Sequence, residues 1–253
     1  MIHFIKNILY CYFIMSTNSI IIILGIIIII LFYILYNYVT NTSTKLQSQS
    51  KLIDNIPGIA ITNPTSTRYA YGIWIYVNSW QPGINHIIFN RDKNLKLYLD
   101  KNAPTLYLDM TMSNDTVNTM TITDNFPLQK WVCIIVSVDN QFVDTYLNGK
   151  LVQSMRFYKI TQNGSSNIIT TPSVPPDATT LIHLGNSQMQ PIIGWNANVS
   201  EFYRWSSAPM DPQTAWDFYL KGNGTSMISN YLGNYNANLQ IIKNNTPYNY
   251  NIF

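Results

Sequence analysis

A chain of 253 residues has room for one β-sandwich or two small domains, and with 47% apolar and 13% aromatic residues it can bury a core. Charged residues make up only 11%, and the net charge of +3 is scattered without a run of Lys or Arg, so no nucleic-acid partner is expected. Two cysteines, Cys11 in an apolar leader and Cys133 in an apolar strand, exclude a disulfide framework. The abundance of Ile, Asn, Tyr and Lys follows A/T-rich codon use.

Residues 1–18 read as a leader, in which Met15, followed by Ser-Thr-Asn, is an alternative start. From Ile20 to Tyr36 every residue is apolar or Gly apart from the hydroxyls of Tyr33 and Tyr36, with no polar stripe. Residues 19–39 are therefore predicted to form a transmembrane helix of about 30 Å, the hydrocarbon thickness of a bilayer, with Tyr33, Tyr36 and Tyr38 at one headgroup level. A cleaved signal peptide fits less well, because the apolar run is long and no A-x-A-like site follows it. The expectation is a single-pass membrane protein with the lipid bilayer as a partner. Lys45 and Lys51 after the span, against Lys6 before it, lean toward a cytoplasmic C-terminal domain, whereas the Asn-x-Ser/Thr sequons lean the other way; the side stays open.

Residues 40–51 read as a polar stalk. Short β-rich runs follow. Tyr69 to Val77 alternates, with Ala70, Gly72, Trp74 and Tyr76 on one face and Tyr71, Ile73, Ile75 and Val77 on the other. His86 to Asn90, Leu95 to Leu99 and Thr105 to Met112 are further strands bounded by turn residues. Trp131 to Val138 is apolar on both faces and is placed at the centre of a sheet. Phe142 to Leu147 returns the chain, Asn148-Gly149 supplies a type I′ turn, and Lys150 to Gln153 completes a meander. Thr161 to Thr180 reads as a loop, Leu181 to Leu184 and Asn198 to Trp205 as strands, with Val199, Phe202 and Trp205 as core candidates. Asp211 caps one short helix that begins at Pro212, presents Trp216, Tyr219 and Leu220 as its apolar face, and ends at Gly222. Residues 223–253 form an Asn/Tyr-rich tail with little pattern. The fold class is all-β, an antiparallel β-sandwich or jelly roll preceded by one transmembrane helix.

The order of these features is similar to a known family. An aromatic strand Tyr71-Gly72-Ile73-Trp74-Ile75-Tyr76-Val77 comes before Phe126-Pro127-Leu128-Gln129-Lys130-Trp131, which leads into a buried strand. Val143-Asp144-Thr145-Tyr146-Leu147-Asn148-Gly149-Lys150 follows, then Leu181-Ile182-His183-Leu184-Gly185 and Phe202-Tyr203-Arg204-Trp205 with the Asp211 to Gly222 helix. Residues 52–222 thereby resemble laminin-G-like domains of the concanavalin A-like superfamily. In texture, a membrane-anchored domain of this composition also resembles proteins encoded by large DNA viruses, which implies a virion or host membrane. The resemblance implies a lectin-like module for glycan or protein ligands, in some members with calcium at the sandwich rim.

No calcium ligand can be transferred by motif. Asp92, Asp100, Asp109 and Asp139 carry suitable oxygens, and each also fits a turn or strand edge, so no metal or cofactor site is assigned. Trp80 and Tyr107 are the candidate ligand contacts, as aromatic rings able to stack on sugar faces; core packing is the competing reading for both. No catalytic residue is expected. Glycoside hydrolysis needs two carboxylates flanking the bond, and Glu201 is the single glutamate of the chain. Asp144 with Glu201 is the one conceivable pair, and Glu201 reads more simply as a surface partner of Arg204. His86 and His183 lie in no nucleophile context. The function expected is a membrane-anchored, non-catalytic binding module; the alternatives are a structural tether from membrane to shell and, less well supported, a glycoside hydrolase.

Overall fold

The computed structural model describes residues 17–40, 43–163, 166–186, 194–224, 238–243 and 246–251. The chain divides into two compact units, residues 1–42 and 43–253. In the first, helix α1 (Thr17–Thr40) runs for 24 residues. Its described side chains, residues 21–35, are apolar or Gly except for the Tyr33 hydroxyl and are exposed all round. Among the described residues no helix is long and apolar enough to cross a membrane. The choice between Met1 and Met15 lies outside the described residues.

The second unit is built from strands. In chain order these are β1 (Ser43–Gln47), β2 (Lys51–Leu52), β3 (Arg68–Val77), β4 (His86–Arg91), β5 (Leu95–Leu99), β6 (Leu106–Thr111), β7 (Val117–Thr123) and β8 (Trp131–Asp139). Then come β9 (Phe142–Leu147), β10 (Lys150–Arg156), β11 (Lys159–Asn163), β12 (Ser166–Thr170), β13 (Ile182–Leu184), β14 (Ala197–Ser206), helix α2 (Pro212–Leu220), β15 (Asn238–Lys243) and β16 (Thr246–Asn251). A seven-stranded sheet has the order β1-β14-β3-β8-β9-β10, with β2 also on β14, and a five-stranded sheet has the order β13-β4-β5-β6-β7. Pairs β11–β12 and β15–β16 are separate two-stranded hairpins.

Burial follows the period-two alternation of the strands. Tyr71, Ile73, Ile75 and Val77 of β3 and Val132, Ile134, Val136 and Val138 of β8 face the five-stranded sheet, meeting Leu95, Leu97, Leu99, Leu106, Leu108 and Met110 in one core. The other face of the same two strands, Ala70, Trp74, Cys133 and Ile135, is covered by Met210, Ala215 and Phe218 of α2 and its approach. Gly72 is required by this close approach: a Cβ there would stand 2.9 Å from both Phe218 and Trp205. Asp211 caps α2 by accepting from the amides of Gln213 and Thr214 at 3.0 Å each. The Asn148-Gly149 turn has the two positive φ values, 49° and 76°, of a type I′ hairpin.

Several expectations are corrected. The stalk at 40–51 contains β1 and β2, both paired to β14; as polar edge strands they lack the apolar alternation that marks strands at a sheet centre. The expected loop at 161–180 contains most of hairpin β11–β12, and β7 is a further strand; both mix Thr and Asn with their apolar residues, which hides the strand period. On α2 the buried residues are Ala215 and Phe218, whereas Trp216 and Leu220 are 37% and 59% exposed. Trp205 lies on the α2 side of its strand, partly buried, while Val199 and Phe202 enter the main core. Within the tail, β15 and β16 form a hairpin.

Two arginines are buried without a carboxylate. Arg91, 1% exposed, donates to the carbonyl oxygens of Pro64 (2.8 Å), Pro176 (2.6 Å), Asp177 (3.0 Å) and Thr180 (3.4 Å). Arg204, 2% exposed, donates to the carbonyls of Thr62 and Asn63 and to the Tyr71 hydroxyl. Among the described residues neither arginine belongs to the ion pairs Lys45–Glu201, Arg68–Asp139 and Lys96–Asp109. The expected Glu201–Arg204 pair is thus replaced: Glu201 meets Lys45 at 2.8 Å, and Arg204 points inward. The physical reason is the fork of the guanidinium, whose several donors satisfy carbonyls of two loops that would otherwise be buried unpaired. Replacing Arg91→Lys keeps the charge and loses the fork. It is expected to cost about 2–3 kcal/mol in urea unfolding, and an unchanged midpoint would remove this role.

At one end of the core His86 is buried, stacked on Trp80 (4.2 Å) and edge-on to Trp195 (5.1 Å). Burial lowers its pKa from 6.5, with the Asp100 carbonyl, 3.3 Å from Nδ1, opposing. A lowered folded-state value means that the unfolded chain binds the proton more tightly below pH 6.5. This contribution to stability is therefore complete above that pH and is lost as pH falls through the folded-state value. The thermal midpoint is expected to fall on acidification below pH 6.5, with a shallower fall in His86→Phe; parallel profiles for the two proteins would contradict this.

Candidate functional site

The five-stranded sheet buries one face, and on the other, open among the described residues, the side chains are half-buried to exposed. Strand β5 alternates Leu95, Leu97 and Leu99 inward with Lys96 and Tyr98 outward; β6 alternates Leu106, Leu108 and Met110 inward with Tyr107, Asp109 and Thr111 outward. On β7, Met120 and Ile122 point in while Thr119 and Thr121 point out. The registers align these outward residues into two transverse rows. One runs His183, Asn90, Lys96, Asp109, Thr119, and the other Ile87, Tyr98, Tyr107, Thr121. At one strand spacing per step the longer row crosses about 19 Å of sheet.

Tyr98 and Tyr107 lie side by side with ring centroids 5.6 Å apart and planes tilted by 35°. The Lys96 ammonium sits 4.5 Å from the centre of the Tyr98 ring and 2.9 Å from Asp109 Oδ2. Asp109 Oδ1 accepts from the Thr119 hydroxyl at 2.6 Å and the Tyr98 hydroxyl at 3.3 Å. Partial burial and then the neighbouring Asp109 carboxylate push the Tyr98 phenol up to about 12, so it stays a neutral donor. Asp109 is the only acid in the two rows, and three donors already occupy it. The arrangement can stack a flat apolar face and offer hydroxyl, amide and ammonium groups around it. It holds no second carboxylate with which Asp109 could share acid and base roles across a bond.

Of the two expected contacts, Tyr107 sits at the middle of this open face. Trp80 is elsewhere: half-buried, packed on the inter-sheet core and stacked on His86. The structure does not bring the two together. Tyr98 and Lys96 carry no signal of their own in the sequence, and Asp109, a candidate cation ligand there, stands beside them instead; pairing the alternating runs Leu95–Leu99 and Leu106–Thr111 about the turn between them sets Tyr98 opposite Tyr107. Among the described residues no cluster of His, Cys, Asp and Glu suits a metal ion. Asp100 accepts from the amide of Asn102, and Asp139 pairs with Arg68 at 3.0 Å.

A second concavity, of about 250 Å³, opens at the sandwich rim between Thr67, Asn140 and Gln141 on one side and residues 171–175 on the other, with Tyr69 and Val138 also lining it. Its polar wall is already engaged: the Thr67 hydroxyl donates to Asn140 Oδ1 at 2.9 Å, and Arg156 Nε donates to Gln141 Oε1 at 2.8 Å.

Comparison with known proteins agrees with this architecture. A laminin-G-type family profile, described as the concanavalin A-like lectin/glucanases superfamily, matches residues 55–215. No curated protein sequence matches the chain. Similar solved structures include the receptor binding domain of botulinum neurotoxin D, with 12% identity, TM-score 0.51, and coverage of 71% of this chain and 52% of that one. Another structure of the serotype D binding domain gives 13% identity, TM-score 0.50, and coverage of 71% and 50%. The chain spans about half the length of these structures, and at such identity the likeness is one of fold alone. A profile match over well more than half of the residues, on a sandwich with these sheet orders, places the chain in the concanavalin A-like lectin/glucanases superfamily.

Proposed function

We propose that the sandwich is a non-catalytic, lectin-like recognition module that holds an oligosaccharide across the open face of the five-stranded sheet, and that α1 ties it to a membrane. The observation that carries the reading is the pair Tyr98–Tyr107, 5.6 Å apart on adjacent strands and framed by Lys96, Asp109, Thr119 and Thr121. Pyranose rings present apolar C–H faces that stack on tyrosine and equatorial hydroxyls that need donors and acceptors at the rim. The scarcity of charge favours a neutral or weakly charged sugar, because Lys96 is already matched by Asp109.

A non-catalytic role is supported by the state of the acids. Asp109 is engaged by three donors. Glu201, the sole glutamate, lies on the other sheet and is paired with Lys45. Anchoring is supported by the sequence, in which Ile20 to Tyr36 is apolar or Gly apart from two tyrosine hydroxyls, and by the exposure of the apolar side chains of residues 21–35. The relative named as a receptor binding domain is consistent with recognition as a task of this fold.

The test is a glycan array with the full chain in detergent, followed by titration of the best oligosaccharide. Tyr107→Ala and Tyr98→Ala are each expected to weaken binding on the order of tenfold, with the fold intact by circular dichroism. A calcium chelator is expected to leave the affinity unchanged. Absence of any binding, with or without calcium, or wild-type affinity in both tyrosine variants, would overturn the assignment. For the anchor, alkaline extraction of native membranes should leave the chain in the pellet, and its release would refute a spanning helix.

A further inference from the structure

The β11–β12 hairpin pairs with no other strand among those described, and it carries apolar side chains on both of its faces. Ile160 and Ile169 stand opposite each other across the hairpin, 53% and 56% exposed, while Ile168, 48% exposed, stands opposite Thr161 in the next register position and so on the other face. On β10, the open edge of the large sheet just before the hairpin, Leu151 and Val152 are 52% and 41% exposed. Isolated exposed apolar residues need no explanation, but a cluster of this kind on a two-stranded projection marks an interaction surface.

Charge identifies the partner. Residues 145–176 contain Lys150, Arg156 and Lys159 and not a single Asp or Glu. Arg156 lies 4.1 Å from the Tyr158 ring and 5.6 Å from that of Phe142, itself 51% exposed, so cation and aromatic rings sit together at the base of the hairpin. The neighbouring acid on β9, Asp144, accepts a hydrogen bond from the Ser154 hydroxyl. An apolar finger with a cationic and aromatic collar is complementary to a bilayer whose headgroups are anionic. A folded protein partner would have to close over both faces of the hairpin, whereas acyl chains can surround it.

We infer that the β11–β12 hairpin, with the β10 edge at its base, docks on an anionic lipid surface by placing Ile160, Ile168 and Ile169 among the acyl chains and Lys150, Arg156 and Lys159 at the headgroups. The inference is independent of α1. It concerns only whether this hairpin, once near a membrane, enters it.

The experiment uses the full chain with Cys11→Ser and Ile168→Cys, labelled at residue 168 with an environment-sensitive fluorophore and reconstituted with lipid vesicles; Cys133 is buried and does not compete for the label. Shielding of the label from an aqueous quencher is read in phosphatidylcholine alone and with about a fifth of phosphatidylserine. The expected result is shielding only with phosphatidylserine, reversed by high salt. Arg156→Gln with Lys159→Gln should shift the equilibrium toward the unshielded state on the order of twentyfold, about fivefold per cation. A second label at Asn167→Cys guards against a folding defect at residue 168, and one at Thr121→Cys, on the open sheet face, should stay exposed throughout. A hairpin label equally quenched in both lipids overturns the proposal. So does one already shielded in detergent without lipid, which would point to a protein contact instead. Flotation of the same vesicles shows that the chain is lipid-bound in both compositions, so failure of α1 to anchor it is distinguished from either outcome.

Discussion

The structure depends on strands β3 and β8 being buried on both faces. Their pairing runs from Arg68↔Asp139 to Tyr76↔Trp131. One side of the pair looks into the inter-sheet core and the other toward α2. A strand pair with two apolar faces needs two covers, and the second sheet and α2 supply them. The five-stranded sheet has a different constraint. Its strands alternate apolar and polar, so one cover suffices, and its outer face is left to solvent. The open face on which Tyr98 and Tyr107 lie is thus a consequence of how apolar residues are distributed between the two sheets.

Polar groups inside the sandwich obey the same logic of satisfaction. Arg91 and Arg204 enter the core end without acids because the 62–64 and 176–180 loops supply carbonyls in the directions the guanidinium fork requires. Tyr69 receives the Asn94 amide at 2.9 Å, and its phenol is raised by burial, so it stays neutral. In a chain with so few charges, burying two cations leaves the surface poorer still. Recognition then falls to hydroxyls, amides and aromatic rings instead of to charge.

The parts of this fold that were legible in the sequence are those where alternation is strong. Val132, Ile134 and Val136 against Cys133 and Ile135 mark a central strand, and Asn148-Gly149 marks the hairpin that follows. Strand β1, Ser-Thr-Lys-Leu-Gln, reads as a stalk because a half-buried edge strand carries no apolar period. On α2 the expected face holds at Tyr219, which stacks on Trp74, but Phe218 over Gly72 takes the place expected of Trp216, a constraint set by tertiary approach and invisible in a short helix. For the site, Tyr107 was named from its chemistry, but its partner Tyr98 required knowing the β5–β6 register. Trp80 was named for the same chemistry, and the structure places it against His86 instead. The inward turn of Arg204 had no signal in its neighbours, since its carbonyl partners lie more than a hundred residues away.

The most direct test of the central claim is the difference in hydrogen exchange between the free chain and the chain saturated with its best oligosaccharide. Added protection is expected in peptides from β5, β6 and β7, with β3 and β8 already slow and unchanged. Protection confined to residues 139–141 and 171–175, at the rim concavity, would contradict it, as would exchange in β3 and β8 as fast as in the sheet edges.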